Sequence, residues 1–108
     1  MYCAELAERL RTRLGKVPGI SEKTMFGGIA LLLNGNMVCG VHKDDLILRL
    51  GKDACEKGLK QPHTRQFDIT GRPMSGWLMV APEGCSEDQL LDEWVTQALD
   101  FVKTLPAK

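Results

Sequence analysis

The sequence predicts an α+β domain, an antiparallel sheet covered by helices, and three observations predict it. The chain opens and closes on stretches whose apolar residues recur at three- and four-residue steps, the period of one helix face. Between them, short apolar segments alternate with turn chemistry, as strands joined by tight reversals do. The strands come in runs and do not alternate strictly with helices, which points away from a parallel, doubly wound sheet. The expected element order is α-β-β-β-α-β-β-α.

From Tyr2 to Leu14 the residues Cys3, Leu6, Ala7, Leu10 and Leu14 form one apolar stripe, and Gly15 and Pro18 stop the helix. Glu5 precedes Arg9 by four residues, the better order for an ion pair along a helix. Arg9, Arg13 and Lys16 follow one another on its polar side, with Arg11 near them. Ile29 to Leu33 then meets Asn34-Gly35-Asn36, residues that tolerate the positive backbone angles of a hairpin turn. Met37 to Val41 returns, Asp44-Asp45 makes a second reversal, and Leu46 to Leu50 completes a three-strand meander. In that last strand Leu46, Leu48 and Leu50 share one face and Ile47 and Arg49 the other.

Gly51 ends the strand, and Lys52 to Leu59 forms a short helix with Ala54, Cys55 and Leu59 inward, weakened by Gly58. Two further strands are expected, at Phe67 to Ile69 and Trp77 to Ala81, around the turn Thr70-Gly71-Arg72-Pro73. Ser86 followed by Glu87, Asp88 and Gln89 has the pattern of a capping box at a helix start, where the two acids also suit the positive helix end. Leu90, Leu91, Trp94, Val95, Ala98, Leu99 and Val102 give that last helix a broad apolar stripe.

The 108 residues suit one domain, 1–108, and a chain of this length buries roughly two-thirds of its unfolded surface on folding. Fourteen basic residues balance fourteen acidic ones, so no long-range field gathers polyanions, and nucleic-acid binding would need a local patch. The apolar runs Ile29 to Leu33 and Trp77 to Ala81 are far too short to cross a bilayer, and charges at Glu5, Glu8 and three arginines break up any export signal. A cytoplasmic protein is expected, with Cys3, Cys39, Cys55 and Cys85 remaining thiols.

Few residues here carry chemistry. Gly27 and Gly28 could offer backbone amides to an anion, but phosphate loops open a helix and here a strand follows; packing beside Phe26 is the expected role. Cys39, His42, Cys55 and His63 could be assembled into a metal site, yet no CxxC or HxxxH spacing is present, and Cys39 and His42 project to opposite sides of one strand. No cofactor or metal is expected. A nucleophilic cysteine would need one of only two histidines, and no local signature surrounds any thiol. Arg49 stands out because it interrupts an apolar strand, marking a solvent face or an interface that needs a planar donor. Trp77 and Trp94 fit the core, although an exposed indole would mark a partner surface.

Met25-Phe-Gly-Gly28, Asn34-Gly-Asn-Met37, Asp45-Leu-Ile-Leu-Arg49, Arg72-Pro-Met-Ser-Gly-Trp77 and Glu93-Trp-Val95 together resemble the TfoX/Sxy amino-terminal domain, in order and over nearly the whole chain. The resemblance implies a bacterial protein with a small α+β fold like that of secretion chaperones. Full-length members regulate competence for DNA uptake, acting with the cyclic-AMP receptor regulator, and the family supplies no catalytic residues. Thr24 stands where a basic residue often precedes the Met-Phe-Gly-Gly box, and the chain closes after its last helix, so a stand-alone amino-terminal domain is expected.

The expected function is therefore a non-enzymatic regulatory module that meets a protein partner, a second copy of itself included, through a sheet edge or an apolar helix face. The alternative is a small-ligand or enzymatic domain with a pocket at Phe26, Gly27, Gly28 and Arg49. Arg9, Arg13 and Lys16 are the candidate basic interaction face, and direct DNA binding through them is the least favoured reading.

Overall fold

The apolar stripe at the amino end forms α1, Ala4–Leu14, burying Leu6, Ala7, Leu10 and Leu14. The computed structural model describes residues 3–25, 27–67 and 76–107. The strands that follow are β1 (Ile20–Met25), β2 (Gly28–Leu33), β3 (Asn36–His42) and β4 (Asp45–Arg49). Helix α2 (Lys52–Gly58) leads to β5 (Thr64–Gln66) and β6 (Trp77–Val80), and a 3-10 turn at Pro82–Gly84 precedes α3, Asp88–Val102.

The strands form one six-stranded sheet, ordered β1-β2-β3-β4-β6-β5, with every neighbouring pair antiparallel. The expected meander is present. Asn34 (φ 51°) and Gly35 (φ 88°) make the left-handed turn between β2 and β3, and Lys43 (φ 55°) opens the reversal between β3 and β4. An extra residue at Val38 shifts the β2–β3 register between Leu31 and Leu32.

Several expectations need correction. Leu59, expected to face inward, follows the end of α2 and is 37% exposed. The sheet gains β1, whose Ser21, Glu22, Lys23 and Thr24 are exposed; an edge strand needs no apolar face of its own, so no hydrophobic pattern marks it. Helix α3 begins without the capping box: Glu87 is the N-cap, no side chain caps it, and the Ser86 carbonyl accepts a bond from Arg9. The strand expected from Phe67 lies earlier, at Thr64–Gln66, while Ile69 and the Thr70-Gly71-Arg72-Pro73 turn fall outside the described residues.

The three helices share one face of the sheet. Their buried residues join Leu31, Leu46, Leu48, Leu50, Leu78 and Val80 in one cluster. Each fully buried leucine there contributes about 2 kcal/mol through removal of apolar surface from water. On the opposite face Ala30, Leu32, Met37, Ile47, Phe67 and Met79 form a second cluster, with Trp77 half-buried at its side. As expected, Leu46, Leu48 and Leu50 point to one side of β4 and Ile47 to the other.

Candidate functional site

The glycine pair serves the sheet. Gly28 is the first residue of β2, and a Cβ placed on it would overlap the Val41 carbonyl oxygen of β3. Only a residue without a side chain lets the two backbones approach so closely. Gly27 has φ 73°, a left-handed conformation that turns the chain from β1 into β2, with open space where a Cβ would project. Phe26 lies outside the described residues.

Arg49 is at the other end of the sheet. The register runs from Gly28 through His42 to Asp45, and Arg49 lies four residues further along β4, roughly 13 Å at 3.3 Å per residue. The structure therefore does not gather Gly27, Gly28 and Arg49 into one pocket. What Arg49 meets is Trp77, its cross-strand partner on β6, with the guanidinium carbon 5.3 Å from the ring centroid. Phe67, buried to 1% exposure, stands behind the indole with ring centroids 5.7 Å apart and planes tilted by 49°. The result is a cation–π stack on the sheet face that carries no helix among the described residues, with Arg49 and Trp77 both half-exposed. Among the described residues none accepts a hydrogen bond from Arg49. The oddity of an arginine inside an apolar strand was legible from sequence; its aromatic partner required the strand register.

The basic stripe of α1 is engaged within the molecule. Arg9 and Arg13 both bond one oxygen of Asp88, each at 3.1 Å, and Arg13 also pairs with Asp92. Arg9 further donates to the carbonyls of Cys85 and Ser86, at 3.0 and 3.1 Å. Their side chains are only 21% and 18% exposed, so the expected basic interaction face is reduced chiefly to the exposed Lys16. Arg9 thus turns across to α3, not along its own helix to Glu5. Arg11 ties α1 to the sheet through a two-bond contact with Glu22 of β1, at 2.7 and 2.9 Å. The guanidinium of Arg9 and then that of Arg13 hold the Asp88 carboxyl below the usual carboxylate range, and Arg11 does the same for Glu22.

The thiols are sheltered. Cys39, Cys55 and Cys85 are buried and Cys3 half-buried, none in a disulfide. Desolvation pushes Cys39 up to about 12 and raises Cys55 and Cys85, the opposite of what activates a nucleophile. Among the described residues no three His, Cys, Asp or Glu side chains converge as a metal site would need. No helix among them is long and apolar enough to cross a membrane.

Against this geometry, the model of the TfoX N-terminal domain matches residues 12–102. The chain belongs to the TfoX N-terminal domain family. Comparison with curated proteins and with solved structures gave no match. The TfoX match takes in the whole sheet, α2 and α3, and therefore the Gly27-Gly28 turn and the Arg49–Trp77 stack; it begins within α1.

Proposed function

We propose that this TfoX-type domain is a non-enzymatic module that binds a protein partner, and that it serves the regulation of DNA-uptake competence as TfoX/Sxy proteins do. The observation that carries the binding role is the half-exposed Arg49–Trp77 pair on the sheet face opposite the three helices. Arginine and tryptophan are the side chains that most often dominate protein interfaces, where a guanidinium over an indole offers apolar area and directed donors together. The Phe67 ring behind Trp77 restrains the indole, which lowers the entropy lost when a partner covers it.

A protein partner suits the charge better than DNA does. The chain is electrically balanced, and the carboxylates of α3 occupy Arg9 and Arg13. A ligand site at the glycine pair is disfavoured by the tight seat of Gly28 against Val41.

The test is capture from the native bacterial host with the wild-type chain and with Arg49→Ala and Trp77→Ala. A specific protein retained by the wild type and lost by both variants, each folded by circular dichroism, is the expected outcome. Recovery of nothing specific by a strictly monomeric wild-type chain sinks the interaction reading, and equal recovery by the variants removes the Arg49–Trp77 face from it. A mobility shift on competence promoter DNA at physiological salt is expected to be absent for the isolated chain.

A further inference from the structure

The end of α2, the turn over residues 59–63, the 3-10 turn and the outer side of α3 enclose a cavity of about 250 Å3. Pro62, Leu90 and Trp94 supply its apolar wall, and Glu83, Glu93 and His63 its polar border, with Lys57 the one lysine or arginine among the described residues that line it. Leu90 is 37% exposed, and so is Leu59, which follows the lining residue Gly58; among the described residues these are the large apolar side chains left exposed. An exposed Leu90 beside Pro62 and Trp94, bordered by polar groups, is the kind of apolar patch that marks a binding surface.

The walls are fixed in place. The Trp94 indole N–H donates to the Gly84 carbonyl at 3.2 Å, and the Ala81 amide to the His63 carbonyl at 2.8 Å. The single Thr64 Oγ1–H is shared between the carbonyls of Gly58 and Gln61, each 2.9 Å from Oγ1. A cavity held by its own hydrogen bonds is formed before anything enters it.

Charge selects the occupant. Helix α3 carries Asp88, Asp92, Glu93 and Asp100 and no lysine or arginine. Arg9 and Arg13 answer Asp88 and Asp92 on the α1 side. At the cavity, neither Glu83 nor Glu93 has an ion pair among the described residues. We propose that this cavity docks a basic amphipathic segment of another protein. An apolar side chain enters between Pro62, Leu90 and Trp94, and a flanking lysine or arginine meets Glu83 and Glu93. This surface is separate from the Arg49–Trp77 face, and its test stands or falls independently.

The indole N–H of Trp94 is a reporter inside the site, and that of Trp77 is the internal control. The full chain, labelled with nitrogen-15, is titrated with a capped helical peptide of leucine and lysine whose leucines recur at three- and four-residue steps. The comparison peptide carries glutamate for every lysine. The expected result is a saturable shift of the Trp94 signal with the lysine peptide, no shift at Trp77, and no response to the glutamate peptide. Glu83→Gln with Glu93→Gln, both on exposed residues and checked for retained signal dispersion, is expected to weaken binding about three- to tenfold, the scale of losing two exposed charge pairs. A Trp94 signal that stays still, an equal response to both peptides, a response centred on Trp77, or wild-type affinity in the double variant would each overturn the proposal.

Discussion

Gly27 and Gly28 are neighbours, yet a methyl group harms them for different reasons. At Gly28 it would be driven into the Val41 carbonyl, separating β2 from β3, so Gly28→Ala is expected to cost about 2 to 3 kcal/mol through overpacking. At Gly27 there is room, and only the left-handed backbone objects, so Gly27→Ala is expected to cost about 1 kcal/mol. Urea unfolding of the two variants measures the difference; equal losses would refute this division of roles. That the pair serves packing was legible in sequence because a strand and not a helix follows it. Which glycine does what was hidden, because the partner of Gly28 is thirteen residues away on β3. The same scale governs the thiols. In native buffer a thiol-reactive dye is expected to label Cys3 ahead of the other cysteines, with Cys39 released only by unfolding, since its thiol is both fully enclosed and pushed up to about 12. Mass mapping of the labelled cysteines checks the order, and early labelling of Cys39 would contradict it.

Among elements, the α1–α3 contact joins arginines four residues apart on one helix to aspartates four apart on the other. Arg9 and Arg13 match Asp88 and Asp92 as two rungs of one ladder. The matching spacing was present in the sequence, but each set reads equally well as a solvated helix face until the two helices are seen side by side. Edge strand β1 escaped for a related reason: Glu22, in the middle of the strand, is supported by Arg11 from α1 and not by an apolar pattern. Both Asp88 and Glu22 have folded-state pKa values below their unfolded ones. Their contribution to stability is therefore complete above roughly pH 4 to 5, where the unfolded carboxylates are also ionised, and is lost as pH falls through the lower folded values. Asp88→Asn is expected to be less stable than the wild type at neutral pH, with the gap closing as pH drops below about 4. Molar salt should narrow the gap at neutral pH as well, because Asp88 is exposed and its pairing is screened. Urea midpoints across pH and salt test this; a gap that ignores both would mean that Asp88 acts through something other than charge.

At the scale of the whole molecule, the question is what the open edge of a six-stranded sheet does when it meets another copy. The β1 edge is Ile20-Ser-Glu-Lys-Thr-Met25. A two-fold pairing with itself must keep the helix-covered face on one side, so residues meet partners of the same parity and the symmetry axis passes through a residue. The two registers with the longest overlap place Glu22 opposite Glu22 or Lys23 opposite Lys23, and like charges directly opposed destabilise a strand pair. These opposed charges disfavour pairing of the edge with itself, while β2 and β3 beneath it are buried along nearly their whole length. Lys23→Thr removes the guard in one of those registers, putting a Thr–Thr pair where two ammonium groups would meet, and it disturbs no ion pair among the described residues. The variant is expected to fold with wild-type stability, within about 0.5 kcal/mol, and to show concentration-dependent association through this edge that the wild type does not. Sedimentation of both proteins over a hundredfold range of concentration decides it. If Lys23→Thr sediments as the wild type does at every concentration, the charges on β1 are not what keeps that edge unpaired.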